Sequence, residues 1–423
     1  MWPRRRAAKT IAAVSRSSSS DGAAARVRTP LNSRRTLLEL FDAALRAVDG
    51  RACVERFLRA AAVAAPVELF AIGKAAAAMT HGARAALGFG IERALVITKV
   101  GHADGSLEGP GVTQLQGAHP MPDFSSLANG AELERRVQEA LRAVLPIFLV
   151  SGGSSSLVEA LRDGVSLDDV CALNVHGMAA GWGIATLNLE RKKLSRIKGG
   201  GLARLLDGRP ALALFISDVP DDDPDVIGSG LLGRDAGRPD SIERHVVANV
   251  ERAVEAALAA GAALGLRLER RAGRFDGDAE MVARDFVAAL RATNADGLVW
   301  GGESTVKLPV RHGCGGRNTH LALAAARLLR AGEPLQILAA GTDGTDGATS
   351  DAGAIVDADS VTRAELGGCD VERACREYDS GIALEAAGDL VHTGPTGTNV
   401  GDILIGIKRS AVSVRGDTSA RML

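Results

Sequence analysis

The chain has 423 residues, of which 46% are hydrophobic and 24% charged, and its formal net charge is −1. This length exceeds what one ordinary hydrophobic core serves and predicts two domains. The chain has no charge-free apolar stretch of about 18 residues, so the sequence does not indicate a membrane span. The small net charge and the 3% aromatic content argue against a general nucleic-acid binder, so neither nucleic acid nor a membrane is an expected partner.

The cysteines and the first 30 residues bear on the cellular compartment. Five cysteines occur without a C-x-x-C pair, which argues against a zinc site or a disulfide framework and favours a reducing cytoplasm. Residues 1–30 are basic and serine-rich, and we interpret them as a disordered extension. An organelle transit peptide, with mitochondrial import, is the alternative. The expected location is therefore the cytoplasm.

Apolar spacing predicts alternating helices and strands along most of the chain. In chain order the predicted elements are a helix from Thr36, a strand at 67–72, a helix at 75–79, a strand at 94–98, a helix at 130–143, strands at 146–150 and 212–216, a helix at 243–260, a strand at 297–300, a helix at 318–330 and a strand at 335–340. Strands that alternate with helices indicate an α/β fold with a largely parallel sheet covered on both faces. We expect a domain boundary between residues 262 and 297.

The most informative segment is a serine-glycine loop that follows the predicted strand at 146–150. Glycines let backbone N–H groups converge on one point, and serine hydroxyls add further donors. Such a loop after a buried strand is suited to an anion, most often a phosphate. It is not a Walker A loop, because no G-x-x-x-x-G-K-[ST] occurs in the chain. The loop consists of Ser151, Gly152, Gly153, Ser154, Ser155 and Ser156.

Other strand ends carry the remaining groups that phosphoryl transfer needs. Lys74, after the first strand, can place its ammonium on a transferring phosphoryl group. Asp218 lies in an acidic segment of a kind that suits Mg²⁺, and Arg317 opens a helix, where its guanidinium can clamp a phosphate or a carboxylate. The segment at 192–201 adds four cations beside flexible glycines. Because ligands bind beyond the carboxyl ends of strands in open α/β sheets, we expect these side chains to form one site.

A series of motifs lies at 71–76, 117–120, 151–157, 197–200, 217–220, 301–303, 315–318, 341–344 and 394–399. In content and order they resemble the class II glycerate kinase family, whose C-terminal domain is called MOFRL. The resemblance implies ATP- and Mg²⁺-dependent phosphorylation of a small molecule, D-glycerate, typically to 2-phosphoglycerate, by a monomer or homodimer.

The same resemblance implies the domain organisation. It consists of a larger, doubly wound, Rossmann-like N-terminal domain and a smaller α/β MOFRL domain, with the site in the cleft between them. The expected domains are residues 31–270 and 271–410, between the extension at 1–30 and a tail at 411–423.

The resemblance also implies site residues. Lys74 and Arg317 are the expected catalytic residues, and Asp218 and Asp343 are the expected Mg²⁺ ligands. Nucleotide binding is expected from the serine-glycine loop and from a further set of residues. This set comprises Lys198, Gly199, Gly200, Glu303, Thr342, Asp343, Thr398 and Asn399.

Several positions depart from the family pattern. The family usually has glycine where Asp221 stands, histidine where Lys193 stands and a basic residue where Gly201 stands. It usually has glutamate where His320 stands, and asparagine is common where Gly401 stands. These departures leave the expected fold intact and bear on the substrate and the level of activity.

Other functions remain as alternatives. A hydroxypyruvate reductase-type oxidoreductase would want G-x-G-x-x-G after a strand, and no predicted strand is followed by it. A serine hydrolase with Ser154 as nucleophile would want glycine at position 156, where serine stands. A catalytically silent relative that binds nucleotide without turnover is the third alternative.

Overall fold

A computed structural model of the protein describes residues 33–63, 66–180, 184–234, 241–309 and 311–408. The extension predicted at 1–30 and the tail predicted at 411–423 lie outside these residues. Within the described part, no helix is long and apolar enough to cross a membrane.

The first half of the chain forms a six-stranded sheet in which all neighbouring strands are parallel. Its strands are β1 (Val67–Ile72), β2 (Ile91–Lys99), β3 (Val112–Gly117), β4 (Leu145–Val150), β5 (Ala211–Ile216) and β6 (Ile242–Ala248). The spatial order is β3-β2-β1-β4-β5-β6, which is that of a Rossmann-like sheet and confirms the predicted fold. In this order a crevice opens between β1 and β4, where ligands bind in doubly wound sheets.

The second half of the chain forms a mixed six-stranded sheet with the order β11-β10-β9-β12-β8-β7. Its strands are β7 (Leu268–Arg270), β8 (Gly297–Gly302), β9 (Leu335–Gly341), β10 (Gly353–Asp357), β11 (Leu390–Val391) and β12 (Asp402–Lys408). Strand β12 runs antiparallel to both β8 and β9. Strand β7 pairs with β8 in this sheet, although the predicted division after residue 270 assigns it to the first domain.

Helices cover both sheets. They are α1 (Ser33–Ala47), α2 (Gly50–Ala61), α3 (Ala76–Leu87), α4 (Phe124–Glu139), α5 (Ser154–Leu157), α6 (Leu167–Ala179), α7 (Ile184–Leu194), α8 (Gly201–Arg204), α9 (Val250–Ala263), α10 (Ala279–Ala292), α11 (Arg317–Leu328), α12 (Ser360–Leu366), α13 (Val371–Arg376) and α14 (Ser380–Ala387). The helix predicted at 243–260 is wrong in its first part, which forms β6. Asn249 separates the two elements, because its side chain accepts the N–H of Arg252 over 3.1 Å and caps α9.

One hydrophobic core joins the two sheets. It contains Leu69 of β1, Ile403 of β12 and apolar residues of α1, α2, α3 and α9. Because successive side chains of a strand point to opposite faces, the next residue in each strand enters a different core. Phe70 stacks on Phe148 of β4, with ring centroids 5.0 Å apart, in the outer core of the first sheet, and Leu404 lies in the outer core of the second. The sheets are thus held in one packed body.

Candidate active site

Lys74 lies in the turn after β1, beside the serine-glycine loop that follows β4. Its main-chain N–H donates to the Gly152 carbonyl over 3.0 Å, and the Ala75 N–H donates to the Ser151 hydroxyl over 3.0 Å. Gly73, which precedes Lys74, has φ +127°, a conformation that favours glycine, and a Cβ there would overlap Ser151. The turn and the loop are therefore fixed against each other in the crevice between β1 and β4.

The Lys74 ammonium reaches the second sheet. Its Nζ lies 2.6 Å from Oδ2 of Asp343, which follows β9, and the two side chains are only 14% and 8% exposed. Burial disfavours the Asp343 carboxylate, but Lys74 and the N–H of Thr345 outweigh it and hold the pKa of Asp343 below its usual range. This buried ion pair joins residues that are 269 positions apart.

Arg317, the first residue of α11, is held by two carboxylates. Its Nε and Nη2 donate to the two carboxylate oxygens of Asp402 over 2.6 and 2.9 Å, and its Nη1 lies 2.7 Å from Oε1 of Glu303. Burial disfavours the guanidinium charge, yet the carboxylates hold the pKa of Arg317 well above its usual value. The two-bond contact with Asp402 fixes the orientation of the guanidinium, while 34% of the arginine side chain stays exposed.

Asp218 follows β5 and contacts the loop that precedes β12. The side-chain amide of Asn399 donates to Asp218 Oδ2 over 3.0 Å. Burial and the neighbouring Glu303 carboxylate raise the pKa of Asp218 to about 6, against the opposing charge of Lys74. Because burial and a like charge disfavour the ionised form, a cation bound beside Asp218 would stabilise its carboxylate.

Gly152 lies where the Asp218–Asn399 contact meets the serine-glycine loop. A Cβ on Gly152 would overlap Asn399 Nδ2 and Asp218 Oδ2. We therefore expect Gly152→Ala to displace both side chains and to lower kcat/KM about a hundredfold, because displacements of about 1 Å in an active site have effects of this size. Steady-state kinetics of the purified variant measures this.

The matched control for this substitution is Gly105→Ala. A Cβ on Gly105 meets no atom within 4 Å, so this variant should keep wild-type kinetics and an unchanged unfolding midpoint. Equal kcat/KM for Gly152→Ala and the wild type would show that the close approach at Gly152 has no role in the site.

The hydroxyls of the serine-glycine loop largely serve its own structure. Ser155 Oγ lies 2.7 Å from Ser229 Oγ, and Ser156 Oγ donates to the Gly153 carbonyl over 3.1 Å. The main-chain N–H groups of Gly152 and Gly153, by contrast, have no acceptor within the described part of the chain. The free donors of this loop therefore include the backbone N–H groups of Gly152 and Gly153.

The segment at 198–200 does not offer its charge to the site. The Lys198 ammonium forms an ion pair with the Glu159 carboxylate, and each side chain is 1% exposed. Burial lowers the pKa of Lys198 despite the opposing charge of Glu159. The N–H groups of Gly199 and Gly200 donate to backbone carbonyls over 3.1 and 2.7 Å. The Lys198 ammonium and these two N–H groups thus already have partners inside the protein. This arrangement conflicts with the predicted nucleotide contacts of Lys198, Gly199 and Gly200.

Two threonines of the predicted set differ in their environment. The Thr342 N–H donates to the Gly401 carbonyl over 2.9 Å, and its hydroxyl accepts the Val400 N–H over 2.9 Å. Thr342 is thus a link between the loops next to β9 and β12. The hydroxyls of Thr398 and of Ser154 are buried without a hydrogen-bond partner among the described residues, so each has a free donor.

Three basic side chains surround Lys74 on the side of β2. Lys99 ends β2, and His119 follows β3. His102 lies in the turn after β2, where its main-chain N–H donates to the Lys99 carbonyl over 2.9 Å. Burial lowers the pKa of each, and neighbouring lysine charges lower it further, to about 3 for His119. The sequence did not predict Lys99 and His102 as site residues, because a single basic residue at a strand end or in a turn forms no motif.

Comparison with known proteins places the chain in a family. Residues 36–259 match a domain of unknown function, DUF4147, and residues 297–402 match the MOFRL family. The D-glycerate 2-kinase of Thermotoga maritima is 32% identical over 381 residues, which cover 81% of this chain and 90% of that protein. The chain belongs to the class II glycerate kinase family. It is accordingly a member of a family of enzymes.

Other relatives agree with this membership. The glycerate 2-kinase of Pyrococcus horikoshii is 32% identical over 83% of this chain and 89% of its own length. A relative from Agrobacterium vitis, 32% identical over 90% of this chain and 96% of its length, bears the provisional name hydroxypyruvate reductase. The crystal structure of the Thermotoga maritima glycerate kinase has a TM-score of 0.78 at 31% identity and covers 89% of this chain and 99% of that chain.

The departures from the class II glycerate kinase pattern have visible structural effects. Asp221 has φ +60°, a left-handed conformation that the glycine usual in the family adopts without strain. A Cβ on Gly201 would overlap the Arg196 carbonyl, so the backbone here excludes the side chain usual in the family. His320 is buried against Tyr378 and Glu280, while Lys193 pairs with a glutamate on the surface. Among the described residues, none of these four forms a side-chain hydrogen bond or an ion pair with Lys74 or Arg317.

Proposed function

We propose that the protein is a glycerate 2-kinase, which transfers the γ-phosphoryl group of ATP to D-glycerate with Mg²⁺ and forms 2-phosphoglycerate. One observation carries this proposal. Lys74, from the turn after β1, forms its ion pair with Asp343, from the loop after β9, directly beside the free N–H groups of Gly152 and Gly153. Cation and amide donors thus converge in the cleft between the two sheets, as phosphoryl transfer requires.

Each group has a distinct role in the proposed reaction. The N–H groups of Gly152 and Gly153 bind phosphate oxygens, and Lys74 balances the charge that spreads over the phosphoryl group. To do so, its ammonium shares its donors between Asp343 and the phosphate, since a lysine has three N–H bonds. Arg317 presents the exposed part of its guanidinium from the opposite sheet, held in place by Asp402. Positioning rather than a strong base is the main contribution of the protein.

Mg²⁺ fits this site at Asp218. No cluster of three or more His, Cys, Asp or Glu side chains suited to a metal ion occurs in the described ranges, but Mg²⁺ needs only one or two carboxylates besides water and phosphates. Burial and the neighbouring Glu303 carboxylate raise the pKa of Asp218, and no ion pair with a described residue holds its carboxylate, so a cation bound there would favour its ionised form. Asp343 fits less well, because Lys74 already occupies it. When bound, Mg²⁺ would neutralise phosphate charge.

A coupled assay with D-glycerate, ATP and Mg²⁺ tests the proposed function. We expect phosphoglycerate formation that stops when Mg²⁺ is removed with a chelator, and ³¹P NMR of the product should show 2-phosphoglycerate. Well-folded protein that forms no phosphoglycerate would overturn the proposal. Two parallel arms identify the alternatives. NADH oxidation with hydroxypyruvate would indicate a reductase, and ATP binding without turnover would indicate a silent relative.

A further inference from the structure

Lys99 is a cation of the site region that has no partner. It is the last residue of β2 and lies half-buried at the carboxyl end of the strand next to β1. Its ammonium makes no hydrogen bond or ion pair with any described residue. A half-buried ammonium without an acceptor is costly, and an anion that binds there removes the cost.

The neighbourhood of Lys99 is that of Lys74. The charges of Lys74 and Asp343 both act on Lys99. The ring of His119 and the stem of Lys74 both lie against Gly153, where a Cβ would come within 3.1 Å of the ring and 3.3 Å of the stem. Lys99, His119 and Lys74 therefore line one region, on the carboxyl ends of three adjacent strands.

The other cations of the site already have hydrogen-bond or ion-pair partners within the protein. Lys74 pairs with Asp343, and Arg317 pairs with both Asp402 and Glu303. Arg274 donates to the main-chain carbonyls of Asp218 and its neighbour over 2.9 Å each. Lys99 differs from these cations because its ammonium has no hydrogen-bond or ion-pair partner among the described residues, so it can serve an anionic substrate without loss of an internal bond.

Strand order separates two anion positions. Strand β1 lies between β2 and β4, so Lys74 has the free N–H groups of Gly152 and Gly153 on one side and Lys99 on the other. The N–H groups after β4 suit the phosphates of the nucleotide. The acceptor must approach the phosphoryl group from the side opposite to the leaving nucleotide, because the attacking and leaving oxygens lie in line.

We propose that Lys99 binds the carboxylate of the acceptor substrate and, with the imidazoles of His102 and His119 beside it, selects a hydroxy acid over an uncharged polyol. This inference rests on the proposed glycerate kinase function. It adds the group that recognises the acid end of the acceptor. Neither imidazole adds charge near neutral pH, because burial and the lysines keep the pKa of each low. The charge that recognises the acid is therefore that of Lys99.

Binding measurements on the full chain test this assignment. Titration calorimetry gives the dissociation constants of D-glycerate and of ADP for the wild type, Lys99→Gln, Lys99→Arg and Lys408→Gln. Lys408→Gln is the matched control, because it removes one lysine charge at the end of β12 that lies opposite to Asp402 and away from the site. Circular dichroism shows that each variant is folded.

We expect Lys99→Gln to weaken D-glycerate binding about tenfold to a hundredfold, as for a lost charge-assisted hydrogen bond. ADP affinity should change less than about twofold, Lys99→Arg should recover much of the glycerate affinity, and Lys408→Gln should match the wild type. In the coupled assay the KM for D-glycerate should rise at nearly constant kcat, as for uniform binding.

Two results would overturn the assignment while the proposed function stands. One is unchanged D-glycerate affinity in Lys99→Gln, and the other is a loss of ADP affinity instead, which would make Lys99 a nucleotide ligand. Wild-type protein that binds no D-glycerate and forms no phosphoglycerate would overturn the proposed function, and this inference with it.

Discussion

Replacing Lys74 with methionine should lower kcat by about a thousandfold or more, because a cation that faces the transferred phosphoryl group has effects of this order. The substitution also leaves the carboxylate of Asp343, whose side chain is 8% exposed, without its ammonium partner. The pKa of that carboxylate should then rise, since burial raises it and the opposing charge of Lys74 is gone. The coupled assay with D-glycerate and ATP measures the loss of turnover.

A second variant separates catalysis from folding in this experiment. In Lys74→Met/Asp343→Asn both charges of the pair are removed, so the unpaired buried carboxylate is absent and the urea midpoint should recover toward the wild type. Turnover should remain as low as in Lys74→Met. If Lys74→Met instead retained wild-type kcat, or if the double variant regained it, Lys74 would not be a catalytic residue.

Replacing Lys198 with methionine should destabilise the protein by about 3–5 kcal/mol, because loss of one member of a buried ion pair leaves an uncompensated charge. Glu159, its partner, is 1% exposed, so its carboxylate would stay buried without the ammonium. Urea unfolding, followed by circular dichroism, measures the change. In the double variant Lys198→Met/Glu159→Leu most of the loss should disappear, since apolar residues often replace buried ion pairs at little cost.

The same double variant tests the sequence-based expectation that Lys198 contacts the nucleotide. A purely structural role predicts a nucleotide dissociation constant within about twofold of the wild type, equivalent to roughly 0.4 kcal/mol. A tenfold weaker constant in a double variant of normal stability would return Lys198 to the nucleotide site. Stability and affinity thus distinguish the two roles independently.

Much of the fold could be predicted from sequence because strands that are buried on both faces have a strong signal. The runs that form β1, β4, β5 and β9 are apolar along nearly their whole length, as strands covered on both faces must be. Strand β6 was missed since its exposed half alternates and it leads within one residue into the alanine-rich α9. Periodicity cannot separate two elements that adjoin so closely.

The candidate site could be predicted in part for a similar reason. Lys74, the serine-glycine loop, Asp218 and Asp343 lie at strand ends, and the topology of the sheets brings strand ends together. Sequence could not tell that Lys198 turns inward, because that depends on Glu159, which is 39 residues away. The Asp402 partner of Arg317 was equally hidden, since a single aspartate at the start of a strand carries no distinguishing pattern.

The placement of α1 at the start of the described chain has a consequence for how the protein can be divided. Helix α1 packs on α9 and on β9 and β12 of the second sheet, although its position in sequence is before the first sheet. A cut between the two matched families, in residues 260–296, therefore separates the C-terminal strands from a helix that covers them. The resulting fragment would expose the apolar side chains of Leu338 and Ile405. The parts of the chain before and after residues 260–296 therefore have to be kept together when the protein is engineered or recombined.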